Sequence, residues 1–316
     1  MDDLLNALRA CAEPTRLRLL ALAGRGAFCV MEFTEILGQS QPRLSRHLRL
    51  LGEAGLLDRV REGPNVWFTL PPSDTSPGSL ARAVLDRLPE EDPLLAADRR
   101  QAARVLAERA RIASESFRLK GADWDEMRAL DLPARDVEAA LLDLLPPRAG
   151  RLLDIGTGTG QLLELLSSRV DFALGIDASK AMLALARSRL AKPGMGHCTV
   201  RLADMYSLPL PDGGFDIAVL QMVLHHAEDP QVAVNEAARV LRPGGMLVIV
   251  DLGAHDRADI AQRYAHRRQG FNDTEVRNMF SSLGLVPAAE RLVPGTMAVR
   301  VWSARSATIP AQTVSA

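Results

Sequence analysis

RLLDIGTGTGQLLELL (Arg151–Leu166) decides the fold of the larger part of this 316-residue chain. A short β-type run, Arg151–Ile155, enters Gly156-Thr157-Gly158-Thr159-Gly160, and Gln161–Leu166 continues with helical spacing. Glycine at a strand-to-helix turn tolerates unusual backbone, lets a ligand approach the main chain, and leaves the N–H groups of the helix start free for it. Further along the chain, ALGIDAS (Ala173–Ser179) is a second apolar strand that ends in Asp177, and RLADMYSLPLPDGGFDIAVL places Asp204 after a third. FDIAVLQMVLHHAEDP and RVLRPGGMLVIVD supply two more strands with a helix between them. Apolar runs alternating with amphipathic helices are the rhythm of a parallel sheet wrapped by helices, so this part is read as α/β.

A dinucleotide site needs G-x-G-x-x-G or A. Here that frame reads Gly156, Gly158 and then Gln161, whose side chain would obstruct a pyrophosphate. Asp154 with Gly160 instead resembles motif I of the class I methyltransferases, and the similarity extends over about Arg148 to Ala304. The resemblance implies a Rossmann-like domain with a mostly parallel seven-stranded sheet that binds S-adenosylmethionine or S-adenosylhomocysteine. It implies a cofactor site of Asp154, Gly156, Thr157, Gly158, Gly160, Asp177, Ala178, Asp204, Met205 and Gln221. Asp177 would accept both ribose hydroxyls, Asp204 would take the adenine amino group, and Met205 would pack on the ring. Trp124, in Asp123-Trp124-Asp125, would lie over the methionine moiety, although packing against the sheet explains it equally well. His225 and His226 follow the fourth strand and are weak candidates for a catalytic base. A His pair at this place accompanies quite different acceptors, so it names no substrate, and His226 reads first as structural or cofactor-lining. The segment Asp251–Asp273, with His255, His266, Arg267 and Arg268, reads as an acceptor pocket for an anion or as a solvated helix.

The N-terminal part is organised differently. VMEFTEILG (Val30–Gly38) is a helix closed by a glycine, Gln39 and Ser40 lie in the turn, and Ser40 is positioned to cap a second helix with Pro42 in its first turn. Leu44, Leu48 and Leu51 recur at helical spacing and face inward. Ser45, Arg46 and Arg49 then point outward with Arg43 to one side, and DRVREGPNVWFTL forms a hairpin around Gly63-Pro64-Asn65. Helix, tight turn, arginine-bearing helix and hairpin make a winged helix-turn-helix, in which arginine suits both phosphate contact and the reading of guanine. Gln39, Ser40, Gln41, Arg43, Ser45, Arg46 and Arg49, with Arg59 and Arg61 on the wing, are the candidate DNA-contacting residues. The bland alternative is a helical hairpin with a solvated arginine face.

ACAEPTRLRLLALA (Ala10–Ala23) followed by QSQPRLSRHLRLLGEAGLLDRVREGPNVWFTL resembles the ArsR-type winged-helix repressors. That resemblance implies a homodimer, a roughly palindromic operator in double-stranded DNA, and release by a ligand. It places the dimer contacts on Asp3–Cys11 and near Leu80–Leu88. Where the metal-sensing members have two cysteines one residue apart, this chain has Cys29-Val30-Met31. One thiolate cannot supply a soft-metal site, so no metal is expected and Cys29 reads as a small buried apolar residue. Cys198 alone likewise sets aside methylation of arsenite.

Bulk properties bound the rest. The composition, 47% hydrophobic and 24% charged, excludes a largely disordered chain. MDDLLNAL carries no secretory pattern and no apolar run approaches a membrane span, so a cytoplasmic protein is expected. Net charge is −1, and any DNA affinity must therefore be local. The expected domains are a winged helix at 1–72, a linker and helical dimerisation or lid segment at 73–134, a cofactor-binding domain at 135–304 and a disordered tail at 305–316. Two functions fit. One is a regulator for which S-adenosylmethionine or S-adenosylhomocysteine is the effector, controlling methionine-cycle genes. The other is a methyltransferase of a small molecule fused to a DNA-binding domain.

Overall fold

The structure, a computed structural model, describes residues 1–62, 65–120, 130–264 and 266–307. The N-terminal domain contains α1 (Asp2–Cys11), α2 (Pro14–Ala23), β1 (Phe28–Cys29), α3 (Val30–Leu37), α4 (Gln41–Glu53), β2 (Asp58–Glu62) and β3 (Asn65–Thr69), with strand order β1-β3-β2. Glu13 caps α2 through the Arg16 N–H, and Gly38 ends α3 in the left-handed conformation at φ 65°. Ser40 occupies the N-cap position of α4 but its side chain makes no capping bond, contrary to expectation. Pro42 has no N–H, which removes one of the two amides that a capping oxygen takes. Leu44, Leu48 and Leu51 are buried with Leu19, Phe33 and Phe68 in one core.

Two helices follow, α5 (Ser76–Leu85) and the 28-residue α6 (Pro93–Lys120). Both helices and the stretch before them are tied to neighbouring elements. In the preceding Pro71–Ser79 stretch Thr75 caps α5, Ser73 Oγ donates to the Asp171 carbonyl at 2.7 Å, and Asp74 pairs with Arg151 at 2.7 Å. Pro71–Thr75 thus form a hydrogen-bonded turn, and Ser76–Ser79 already belong to the first turn of α5. Helix α5 packs within its own chain, its Arg82 donating to the Gly196 carbonyl at 3.2 Å. Helix α6 is tied to the winged helix by Arg18–Asp98 and Arg109–Glu32 ion pairs.

The C-terminal domain opens with α7 (Ala134–Leu144) and continues β4 (Arg151–Ile155), α8 (Gln161–Leu166), β5 (Phe172–Asp177), α9 (Lys180–Leu190), β6 (Cys198–Leu202), β7 (Phe215–Gln221), α10 (Pro230–Arg239), β8 (Leu241–Leu252), α11 (Ala258–Arg263), α12 (Asp273–Ser282), β9 (Val286–Val293) and β10 (Val299–Arg305). These strands form a seven-stranded sheet in the order β6-β5-β4-β7-β8-β10-β9, in which β10 runs antiparallel to both neighbours. A buried apolar cluster lies on each face. The mostly parallel α/β sheet expected from the strand-helix rhythm is therefore present. Its order reverses between β4 and β7, and a ligand crevice forms outside the strand ends at such a point.

The domains touch closely beside α5. A Cβ added at Gly196 would lie 2.5 Å from the carbonyl oxygen of Gly24, the residue that caps α2. Gly196→Ala should therefore destabilise the chain by about 1–3 kcal/mol, as overpacking does. Urea unfolding checks this; an unchanged midpoint would mean that the two backbones are not held in contact.

Candidate cofactor site and nucleic-acid interface

Gly156, Gly158 and Gly160 all have positive φ, at 76°, 53° and 74°. An added Cβ at Gly156 would lie 2.5 Å from Val223 Cγ2, whereas at Gly158 it would meet nothing within 4 Å. The turn is therefore closed at Gly156 by Val223, which follows β7, and open at Gly158. Gly160 occupies the N-cap of α8. Two carboxylates brace the turn. Thr157 Oγ1 donates to Asp154 Oδ2 at 2.6 Å, and the Gly158 N–H donates to Asp177 Oδ2 at 2.9 Å. Asp177 Oδ1 also accepts the Ser179 N–H at 2.8 Å. Burial pushes the Asp154 carboxyl up to about 7, opposed by the Thr157 bond and reinforced by the charge of Asp177. Burial also raises Asp177, against its two backbone N–H partners.

The remaining sequence-predicted residues surround this turn unevenly. Ala178 is exposed beside Asp177. Leu202 pairs with Asp177 across β5 and β6, so Asp204 follows two residues beyond that pairing. Asp204 is exposed and accepts the Tyr206 N–H at 3.0 Å, while Met205 packs against the core of one sheet face. Gln221 ends β7, half-buried. Trp124 lies outside the described residues.

Sequence reading missed two features here. Met222 has φ 52°, a strained conformation for a non-glycine residue, and it precedes the Val223 that packs on Gly156. No pattern marks such a residue. The second is Asp251, fully buried at the end of β8, whose Oδ1 lies 2.6 Å from His225 Nδ1. Asp251 also accepts backbone N–H groups of Leu224 at 3.0 Å and Leu252 at 2.7 Å. This fixes the His225 ring, itself fully buried. His226 and His266 stack on it with centroids 4.2 and 4.4 Å away. The three rings could bring nitrogens within 4.8 Å of one another, but each already has interaction partners in the fold. The charged segment after β8 was the only sequence sign of His266.

On the N-terminal domain, Ser40, Gln41, Arg43, Ser45, Arg46 and Arg49 are exposed and Gln39 is half-buried, while the leucines of α4 face the core. Arg59 and Arg61 are exposed on β2. Arg49 pairs with Glu53 at 3.3 Å, an exposed contact that leaves the guanidinium available to a phosphate. Cys11, Cys29 and Cys198 are free thiols, all buried, and burial pushes Cys198 up to about 12.

Two family profiles match the chain, one described as bacterial regulatory protein, arsR family, over residues 13–59, and one described as methyltransferase domain, over residues 153–249. Two separate stretches of the chain therefore match an arsR-family regulatory domain and a methyltransferase domain. Similar curated proteins include an uncharacterized 37.1 kDa protein in transposon TN4556 of Streptomyces fradiae, 40% identical over 40% of this chain and 36% of its own length. Phosphatidylethanolamine N-methyltransferase of Cereibacter sphaeroides is 40% identical over 36% of this chain and 56% of its own length. The chain thus spans only about a third to just over half of the relatives it matches. Among solved structures, YcgJ from Bacillus subtilis has a TM-score of 0.49 and 21% identity, covering 55% of this chain and 99% of that one. The arsR-family domain implies DNA binding and the methyltransferase domain implies binding of S-adenosylmethionine. Among the described residues no helix is long and apolar enough to cross a membrane.

The Asp154 carboxyl gives the chain a pH signature. Its native value, about 7, stands above its ordinary 3.8, so the native state retains a proton that the unfolded chain releases. The associated stability is complete below the ordinary value and falls as pH rises through about 7. Asp154→Asn cannot ionise, so the Tm of the unsubstituted chain should fall relative to this variant between about pH 5 and pH 8. A constant gap in thermal melts across that range would show that Asp154 does not titrate there.

Proposed function

We propose that the chain is a transcriptional regulator in which S-adenosylmethionine or S-adenosylhomocysteine, bound by the methyltransferase domain, acts as effector. The carrying observation is that, among the described residues, the N-terminal domain is packed directly against the cofactor domain, through the Gly24–Gly196 approach and the buried Glu62–Arg187 ion pair. A ligand in one domain can then alter the other, provided its affinity differs between the two states.

The site suits this ligand. Open space above Gly158 supports room for the ligand beside the turn, and the neighbouring Asp177 carboxylate would accept the ribose hydroxyls. Asp154, Gly156, Thr157 and Gly160 shape the turn, Asp204 and Met205 would receive the adenine, and Ala178 and Gln221 would border the pocket. When bound, S-adenosylmethionine supplies an electrophilic methyl group on a sulfonium. Arginines 43, 46 and 49 with Ser45, Gln41, Ser40 and Gln39 would face the major groove, and Arg59 and Arg61 would take phosphates. Helix α1 exposes Leu4, Leu5 and Leu8, a face suited to a homodimer on a two-fold operator. Methionine-cycle genes, in the cytoplasm, are the natural targets for such an effector.

The second reading is a methyltransferase of a small molecule. The His225–Asp251 pair after β7 favours it, since it fixes an imidazole cluster near where an acceptor would bind. Most of the catalysis would then be positioning of the acceptor, with half-buried His226 the better-placed base.

Fluorescence anisotropy on DNA from upstream of the chain's own gene separates the two. Titration with either ligand should change DNA affinity by about fivefold or more, and Asp177→Ala should remove the response while DNA binding persists. Tight DNA binding indifferent to both ligands at saturation would reject the regulator and turn attention to a methyl acceptor.

A further inference from the structure

The two domains are joined most intimately at the wing. Glu62, the last residue of β2, is charged yet only 5% exposed. Both of its carboxylate oxygens accept from Arg187 Nη2 at 2.7 Å, and Oε1 also accepts the Leu202 backbone N–H at 2.8 Å. Arg187, on α9, is 4% exposed, and its guanidinium lies over the Trp67 ring of β3, 3.9 Å from the centroid. Arg109 of α6 approaches the same ring at 4.9 Å and is itself held by Glu32 of α3. A cavity of only about 40 Å³ lies along this seam, lined in part by Val60, Trp67 and Arg201.

The partners of Glu62 lead directly to the cofactor site. Leu202 is the residue paired with Asp177 across β5 and β6, and it lies two positions before Asp204. Arg187 belongs to the helix capped by Ser179, whose N–H is bonded to Asp177. One wing carboxylate therefore grips both the strand that leads to Asp204 and the helix whose capping residue, Ser179, is bonded to Asp177. A buried ion pair is a weak source of stability because both ions lose their hydration, and its best-attested use is to fix one arrangement among alternatives. Here the arrangement fixed is the wing against β6 and α9.

We infer that Glu62 is a positioning residue of the cofactor site contributed by the DNA-binding domain, and that the Glu62–Arg187 junction carries the coupling between ligand and DNA. This rests on the reading that the methyltransferase domain binds its ligand as an effector. A ligand held by Asp177 and Asp204 favours the geometry of β6 and α9 that receives Glu62. By reciprocity, movement of the wing on DNA changes ligand affinity by the same factor.

The test uses the full chain with S-adenosylhomocysteine as probe, measured by calorimetry and by DNA anisotropy. Glu62→Gln should weaken the ligand by about fivefold or more, although Glu62 lies behind the binding carboxylates and not among them. The double variant Glu62→Gln/Arg187→Met leaves no buried charge unpaired, so it should keep a near-normal Tm and show the same loss. In both variants DNA binding without ligand should persist while the effect of ligand on it shrinks towards none, a change that a merely structural role would not produce. Ligand affinity within about twofold of the unsubstituted chain in both variants, with the ligand effect on DNA intact, overturns the inference. The failure of the regulator reading looks different: the unsubstituted chain would then ignore ligand when binding DNA, whatever Glu62→Gln does to ligand affinity.

Discussion

Everything at the cofactor end of the sheet depends on a backbone that turns left-handed at Gly156, Gly158 and Gly160 within five residues. Side chains would strain that path at each position, and at Gly156 one would also collide with Val223. The turn is held by carboxylates on both sides, Asp154 through Thr157 and Asp177 through the Gly158 N–H. The cost of this arrangement is visible in Asp154, which burial drives towards its neutral form. It brings a glycine cradle, a carboxylate and the start of a helix to one place, and the sheet order reverses between β4 and β7 so that the crevice opens there.

The same strands carry the second domain. Strand β6 is the edge of the seven-stranded sheet, and an uncovered edge offers unpaired amides to other chains. In this protein the wing packs beside β6, and the Leu202 amide is satisfied by the Glu62 carboxylate. Helix α6 adds a second brace, paired with α2 and α3 through Asp98 and Arg109 and reaching α9 through the Leu106 carbonyl, which accepts from Ser188. The bond that satisfies this edge amide thus also joins the domains. Their nearness to Asp177 is a consequence of strand register.

At the other side of the site, Asp251 and His225 show a different way of fixing a polar group. Both are fully buried, and the carboxylate is satisfied by backbone N–H groups as well as by the ring. Such a network orients the imidazole stack without exposing its innermost member. The protein presents this buried network after β7, and Met222 at φ 52° marks where the chain turns into it.

The sequence by itself determined the features that short-range geometry controls. Glycines 156, 158 and 160, the strand rhythm, the inward row of Leu44, Leu48 and Leu51, and the burial of Cys29 were all legible because each reflects a local backbone or a helical period. Even locally it had limits, since Ser40 makes no capping bond although its residue type suggests one. Only the tertiary structure decided that Ser73 and Asp74 are tied to the C-terminal domain, that Asp251 holds His225, and that Glu62 meets Arg187 from 125 residues away. Those contacts follow from which strands lie side by side and in what register. No local pattern encodes that, because a carboxylate destined for burial against a distant arginine reads in sequence like any solvated charge.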